Sequence, residues 1–149
     1  MKNIKKERGQ SLVELSVSLV LLLLLLSGAV EFGIAFFQFV QLRDAAQEGA
    51  LYGSMNPQTC TPITDRVKGA SSSPINLNGT GVTIVVSIDG NACGSSAYAT
   101  LDCEGEGLQV DVTYSHKIFM PFIPGILGRT TIPLHASVTD TILSPVDCT

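Results

Sequence analysis

Four cysteines, Cys60, Cys93, Cys103 and Cys148, are the residues of this chain best suited to covalent or metal chemistry, with 32, 9 and 44 residues between successive ones. No C-x-x-C pair occurs, and structural zinc sites are usually built from closely spaced ligand pairs. An even number of cysteines, all following an apolar segment, therefore reads as two disulfides formed in an oxidising compartment. Of the three possible pairings, Cys93 with Cys103 and Cys60 with Cys148 is favoured, because the first closes a short loop and the second ties down the C-terminus.

The other reactive residue types are sparse. His116 and His135 lie 19 positions apart in stretches that read as strands, and both are expected on polar strand surface. Asp102, Glu104 and Glu106 flank Cys103 and could approach Asp89 or Asn91 to hold calcium, but their spacing is not that of an EF-hand, so a solvated acidic turn is the expectation. No nucleophile elbow, zincin helix or phosphate-binding loop is present. The expectation is a chain with no catalytic residues, no cofactor and no metal.

The positioning elements begin with charge. The net charge of -4 hides an uneven distribution, since Lys2, Lys5, Lys6 and Arg8 place four of nine basic residues within the first nine positions. The remainder has five basic and twelve acidic residues, a net charge near -7, which argues against a nucleic-acid partner. From Leu15 to Val30 sixteen residues carry no charge, and Glu14 and Glu31 bound the run. Seventeen helical rises cover about 25 Å, close to the ~30 Å thickness of bilayer hydrocarbon. A transmembrane helix over about residues 12–31 follows. Its basic side is cytoplasmic by the positive-inside rule, and Glu31 marks the opposite membrane interface.

The same stretch also fits a secretory signal peptide, with Ser27-Gly28-Ala29 as the cleavage site and a soluble product beginning at Val30. The pattern beyond opposes that alternative. Phe32, Phe36, Phe39, Arg43, Ala46, Ala50 and Gly53 recur at steps of four and three, as one face of a continuous helix does. A helix from about Ser11 to Ser54, some 65 Å long, would be ended by Asn56-Pro57. Its small residues Ala45, Ala46, Gly49, Ala50 and Gly53 allow close approach of either a partner helix or its own domain.

Alternation then takes over. Val82, Ile84, Val86 and Ile88 form one face of a strand, as do Leu108, Val110, Val112 and Tyr114, and again Ile132, Leu134, Ala136 and Val138. At least three antiparallel strands are expected, with the long helix as the one sizeable element able to cover their apolar face. The fold class is thus α+β, a long N-terminal transmembrane and amphipathic helix packed on a small antiparallel sheet. Residues 119–128, Phe-Met-Pro-Phe-Ile-Pro-Gly-Ile-Leu-Gly, form an apolar loop that lies either on the domain or against the membrane or a neighbouring subunit.

Three pieces in order carry a family resemblance: Arg8-Gly9-Gln10-Ser11-Leu12-Val13-Glu14, Val30-Glu31-Phe32-Gly33 and Ala45-Ala46-Gln47-Glu48-Gly49-Ala50. They resemble the TadE/TadG-like family of tight-adherence pilus proteins. Gly9, with Glu14 five positions on, resembles a prepilin peptidase site. The resemblance implies cleavage before Gln10, removal of residues 1–9 as a cytoplasmic leader, and a register role for Glu14 against a neighbour's new terminal amine. The chain departs from the family pattern at Val20-Leu21, where a proline is common, and at Leu15, where an aromatic is common. An uncleaved form stays open.

The resemblance also implies a pilin-like fold in which residues 10–56 form the helix and residues 57–149 an exported β-rich domain. The chain would act as a minor pilin or pseudopilin in the inner membrane, taking part in assembly of pili for surface attachment. Its partners would be a prepilin peptidase, the pilus inner-membrane platform, other pilin-like subunits and membrane lipid. A permanently anchored adhesive domain and a secreted domain released after Ala29 are the alternatives.

Overall fold

The structure, a computed structural model, describes residues 7–100, 103–121 and 123–143. One helix, α1, runs unbroken from Glu7 to Met55, and Asn56-Pro57 follows its end. A second helix, α2, spans Cys60–Gly69 and places Ile63 and Val67, four residues apart, inward. The strands are β1 (Val82–Ile88), β2 (Asn91–Ala92), β3 (Gly107–Lys117) and β4 (Thr131–Thr141), and a short helix α3 (Ile123–Leu127) lies in the β3–β4 connection.

The sheet is antiparallel throughout, in the order β2-β1-β3-β4. β1 turns into β2 through Asp89 and Gly90, both with positive φ, as a tight type I′ hairpin requires. The three strands read from alternation are the three long ones, and the two-residue β2 is an addition. Central strand β3 pairs Val112 with Ile84 on one side and with Ala136 on the other, so the apolar faces read from sequence fall in register. The fold is a long helix on a small antiparallel sheet, as expected.

The core lies between this face and the outer half of α1. Leu42, Ala46 and Ala50 meet Val110, Val112 and Ala136 there, with Ile63 and Val67 closing one side. The small-residue stripe of α1 is consumed by this packing. A Cβ on Gly49 would collide with Val67, and one on Gly53 would come within 2.8 Å of Leu108 Cδ2. Of the two uses open to this stripe, packing on its own domain is what the fold adopts. Tyr98 Oη donates to Pro57 O at 2.7 Å, and Leu143 N donates to Ser54 O at 2.8 Å, pinning the helix end to the sheet.

Two expectations are corrected here. Of the α1 face read through Phe32, Phe36, Phe39, Arg43, Ala46, Ala50 and Gly53, only the small members Ala46, Ala50 and Gly53 are buried, while Phe32 and Phe36 are more than half exposed. The buried stripe instead passes through Glu31, Gln38, Leu42, Ala45, Gly49 and Gly53. The two stripes lie about one residue apart and meet at Gly53, and only the sheet selects between them. The disulfide pairing also differs, because Cys60 is bonded to Cys93, with Cα atoms 5.8 Å apart. α2 packs beside β1 and begins at Cys60, while Cys93 N donates to Val86 O, so both cysteines meet at the same sheet edge. Cys103 is itself disulfide-bonded, and Cys148 lies outside the described residues.

Candidate functional site

The one concentration of buried polar chemistry among the described residues lies where α1 emerges from its apolar half. Glu31 is 5% exposed, Gln38 5% and His116 0%. Glu31 and Gln38 are seven residues apart, two helical turns, and so share a face. His116 stands near the end of β3 on the same parity as Leu108, Val110, Val112 and Tyr114, and the pleat turns it inward. This corrects its assignment to polar strand surface. His135 has the opposite parity to the inward residues of β4, is exposed, and lies 3.3 Å from Asp111 Oδ1.

His116 Nε2 donates to Glu31 Oε1 at 2.8 Å. Nδ1 faces the Gln38 amide at 2.6 Å, and that amide can offer NH2 to a bare Nδ1 or oxygen to a protonated one. The chain leaving β3 then wraps the other side of the carboxylate. Phe119 N donates to both oxygens at 3.2 Å, and Met120 N donates to Oε2 at 3.0 Å. Both carboxylate oxygens are thus occupied by donors. Burying an ionised carboxylate is costly unless it is paired and hydrogen-bonded, which is the condition met here.

A Glu-His pair is the raw material of acid-base catalysis, yet this one offers no free acceptor to a substrate. Its action is mechanical. It clasps three separate segments, the helix, the end of β3 and the start of the β3–β4 loop, at one point. A cleft of about 370 Å³ lies elsewhere, beside Cys60, lined by Gln58, Ser95 and Tyr98. Among the described residues no group of His, Cys, Asp and Glu is placed to hold a metal ion. Asp102 lies outside the described residues.

The remaining residues singled out by sequence are spread along α1. Gly9 and Gln10 stand in its first turns and Glu14 one turn further, all exposed. Leu12, Leu15, Leu19 and Leu22 are each more than half exposed. One helix, Gly9–Met55, is therefore long and apolar enough to cross a membrane, and 6% of its most apolar window is buried by the chain's own domain.

Residues 9–51 match the family model described as TadE-like protein. The helix is TadE-like. The match begins at Gly9 and ends four residues before the helix does, so it takes in Glu14, Glu31, Gln38 and the small residues up to Ala50 and leaves out Gly53 and the sheet. No curated protein and no solved structure matches the chain. The TadE-like segment supplies two of the clasp's side chains, and the sheet domain supplies the third.

His116 and Gln38 are the members that sequence reasoning missed. Strand parity signals His116, and a seven-residue step from Glu31 signals Gln38. Neither signal is visible until helix and strand are brought together.

Proposed function

We propose that this TadE-like protein is a membrane-anchored minor pilin or pseudopilin that takes part in assembling a tight-adherence pilus for surface attachment, with a structural rather than catalytic role. The observation that carries this reading is the matched segment itself. It is one helix, bare and apolar over its first half and packed into the sheet domain over its second. Such a helix can be held by lipid in the membrane and by other apolar helices in a filament, while its domain travels with it as a rigid load.

The basic residues before Gln10 favour a cytoplasmic N-terminus and an extracytoplasmic domain, and a disulfide in that domain favours the same orientation. Cleavage after Gly9 by a prepilin peptidase would remove the leader and leave the anchor whole. Glu14, exposed on the apolar half, is then available to a neighbouring subunit's terminal amine. The partners this requires are the inner-membrane platform and other pilin-like subunits.

The test is the intact mass and N-terminal sequence of the protein from its native membrane. A start at Gln10 is expected. A start at Met1 means a permanent anchor and removes the processing step, and a start at Val30 means a secreted domain and removes the filament role.

A further inference from the structure

We propose that the β3–β4 loop is a second membrane-contacting element, which inserts beside α1 into the leaflet on the domain side and shares an acyl-chain cleft with it. The proposal rests on the reading of α1 as a membrane anchor.

Depth is the first argument. Met120 and Pro121 line a cleft of about 340 Å³ together with Val20, Leu23, Leu24 and Ser27 of α1. Ser27 and Leu24 lie four and seven residues below Glu31, about 6 to 10 Å along the helix axis. A loop that borders those residues is at the depth of the anchor. Glu14 to Glu31 spans about 25 Å of a ~30 Å hydrocarbon layer, so the clasp itself sits within that layer's outer edge.

The loop's surface is suited to that depth. Phe119 is 65% exposed and Ile126 68%, and Leu127 is also open. Its flanks are suited to the head groups. Lys117 and Arg129, both exposed, bracket the apolar stretch in a domain whose net charge is otherwise acidic. Apolar tips with basic shoulders match acyl chains beneath phosphates.

Lipid-exposed irregular backbone does not occur within the hydrocarbon core, so the loop sits at that layer's outer edge, where its polar groups must still be largely satisfied. Ile118 N donates to Thr130 O, Ile123 N to Met120 O and Gly128 N to Pro124 O. Pro121 and Pro124 have no N–H to satisfy. The N–H groups of Phe119 and Met120, where the loop meets α1, are both accepted by Glu31. The clasp thus satisfies the two loop donors nearest α1, which gives a carboxylate at this position of an apolar helix a use.

The chain has no tryptophan, so single tryptophans report without background. Full-length Ile126→Trp, Leu22→Trp and Val85→Trp proteins are reconstituted in phosphatidylcholine and phosphatidylglycerol vesicles containing lipids brominated near the head-group end or near the methyl end of the chain. The expected result is a blue-shifted Ile126→Trp emission quenched most by the shallow bromines, Leu22→Trp quenched most by the deep ones, and Val85→Trp unquenched. Phe119→Trp repeats the loop measurement should Ile126→Trp fail to fold. An unquenched loop tryptophan beside a quenched Leu22→Trp overturns the loop proposal and leaves the anchor standing. If that unquenched emission is blue-shifted, a second copy covers the loop instead. If Leu22→Trp is itself unquenched, the anchor reading falls first.

Discussion

Removing the Glu31 carboxylate should loosen the whole upper half of the molecule, far beyond the effect of one polar surface change. Glu31→Ala strands three buried or half-buried donors, His116 Nε2 and the N–H groups of Phe119 and Met120. At about 1 kcal/mol or more for each unsatisfied donor, the loss is near 3 kcal/mol. Set against total domain stabilities of about 5–15 kcal/mol, this is a large fraction. The melting midpoint should fall on the order of 10 °C.

The assay is thermal and urea unfolding of the full chain in micelles, followed by the fluorescence of its three tyrosines, Tyr52, Tyr98 and Tyr114. His116→Ala should cost a similar amount. The double variant should cost clearly less than the two single losses together, with a coupling of about 1 kcal/mol or more, because the second deletion removes a partner already lost. His135→Ala, on the exposed face of β4, should stay within about 0.5 kcal/mol of the parent. Additive single losses, or a Glu31→Ala midpoint no different from that of His135→Ala, would refute the clasp.

Non-reducing peptide mapping should recover a Cys60–Cys93 link, and a Cys93–Cys103 peptide would overturn the pairing; replacing both Cys60 and Cys93 by serine should cost about 3–4 kcal/mol on the loop-entropy relation. Gly49→Ala should destabilise by about 1–2 kcal/mol, because the clash with Val67 outweighs the roughly 1 kcal/mol gained in helix propensity, whereas Gly33→Ala, with open space around it, should stabilise by up to about 1 kcal/mol. Glu14→Ala should insert in the membrane at parental levels but lower the yield of assembled pili, and unchanged piliation would remove the register role.

The sheet face was legible because alternation over β1, β3 and β4 is unambiguous, and a half-buried strand admits one parity. The helix was legible in length and in its end at Asn56-Pro57. Its buried face was not. Phe32 and Phe36 pull a sequence-based stripe toward themselves, because apolar residues in a soluble helix belong inside. In a helix that continues a bare apolar half able to cross a membrane, the same residues can face outward, and polar Glu31 and Gln38 turn in because His116 and two loop N–H groups are there to meet them. α2 escaped notice for another reason. Ten residues with Ile63 and Val67 as their buried pair carry little periodic signal, and a helix this short forms because α1 and β1 receive it.

The sequence by itself determined that a charge-free run of sixteen residues opens the chain's long helix, that a small antiparallel sheet follows, and that an even set of cysteines stands beyond the run. Those properties depend on local composition and period. Only the tertiary structure decided which cysteines meet, whether the small-residue stripe serves the domain, and what Glu31 is for. Each of these depends on which groups from distant segments share a point in space, and a buried carboxylate has no assignable role until its donors are in place.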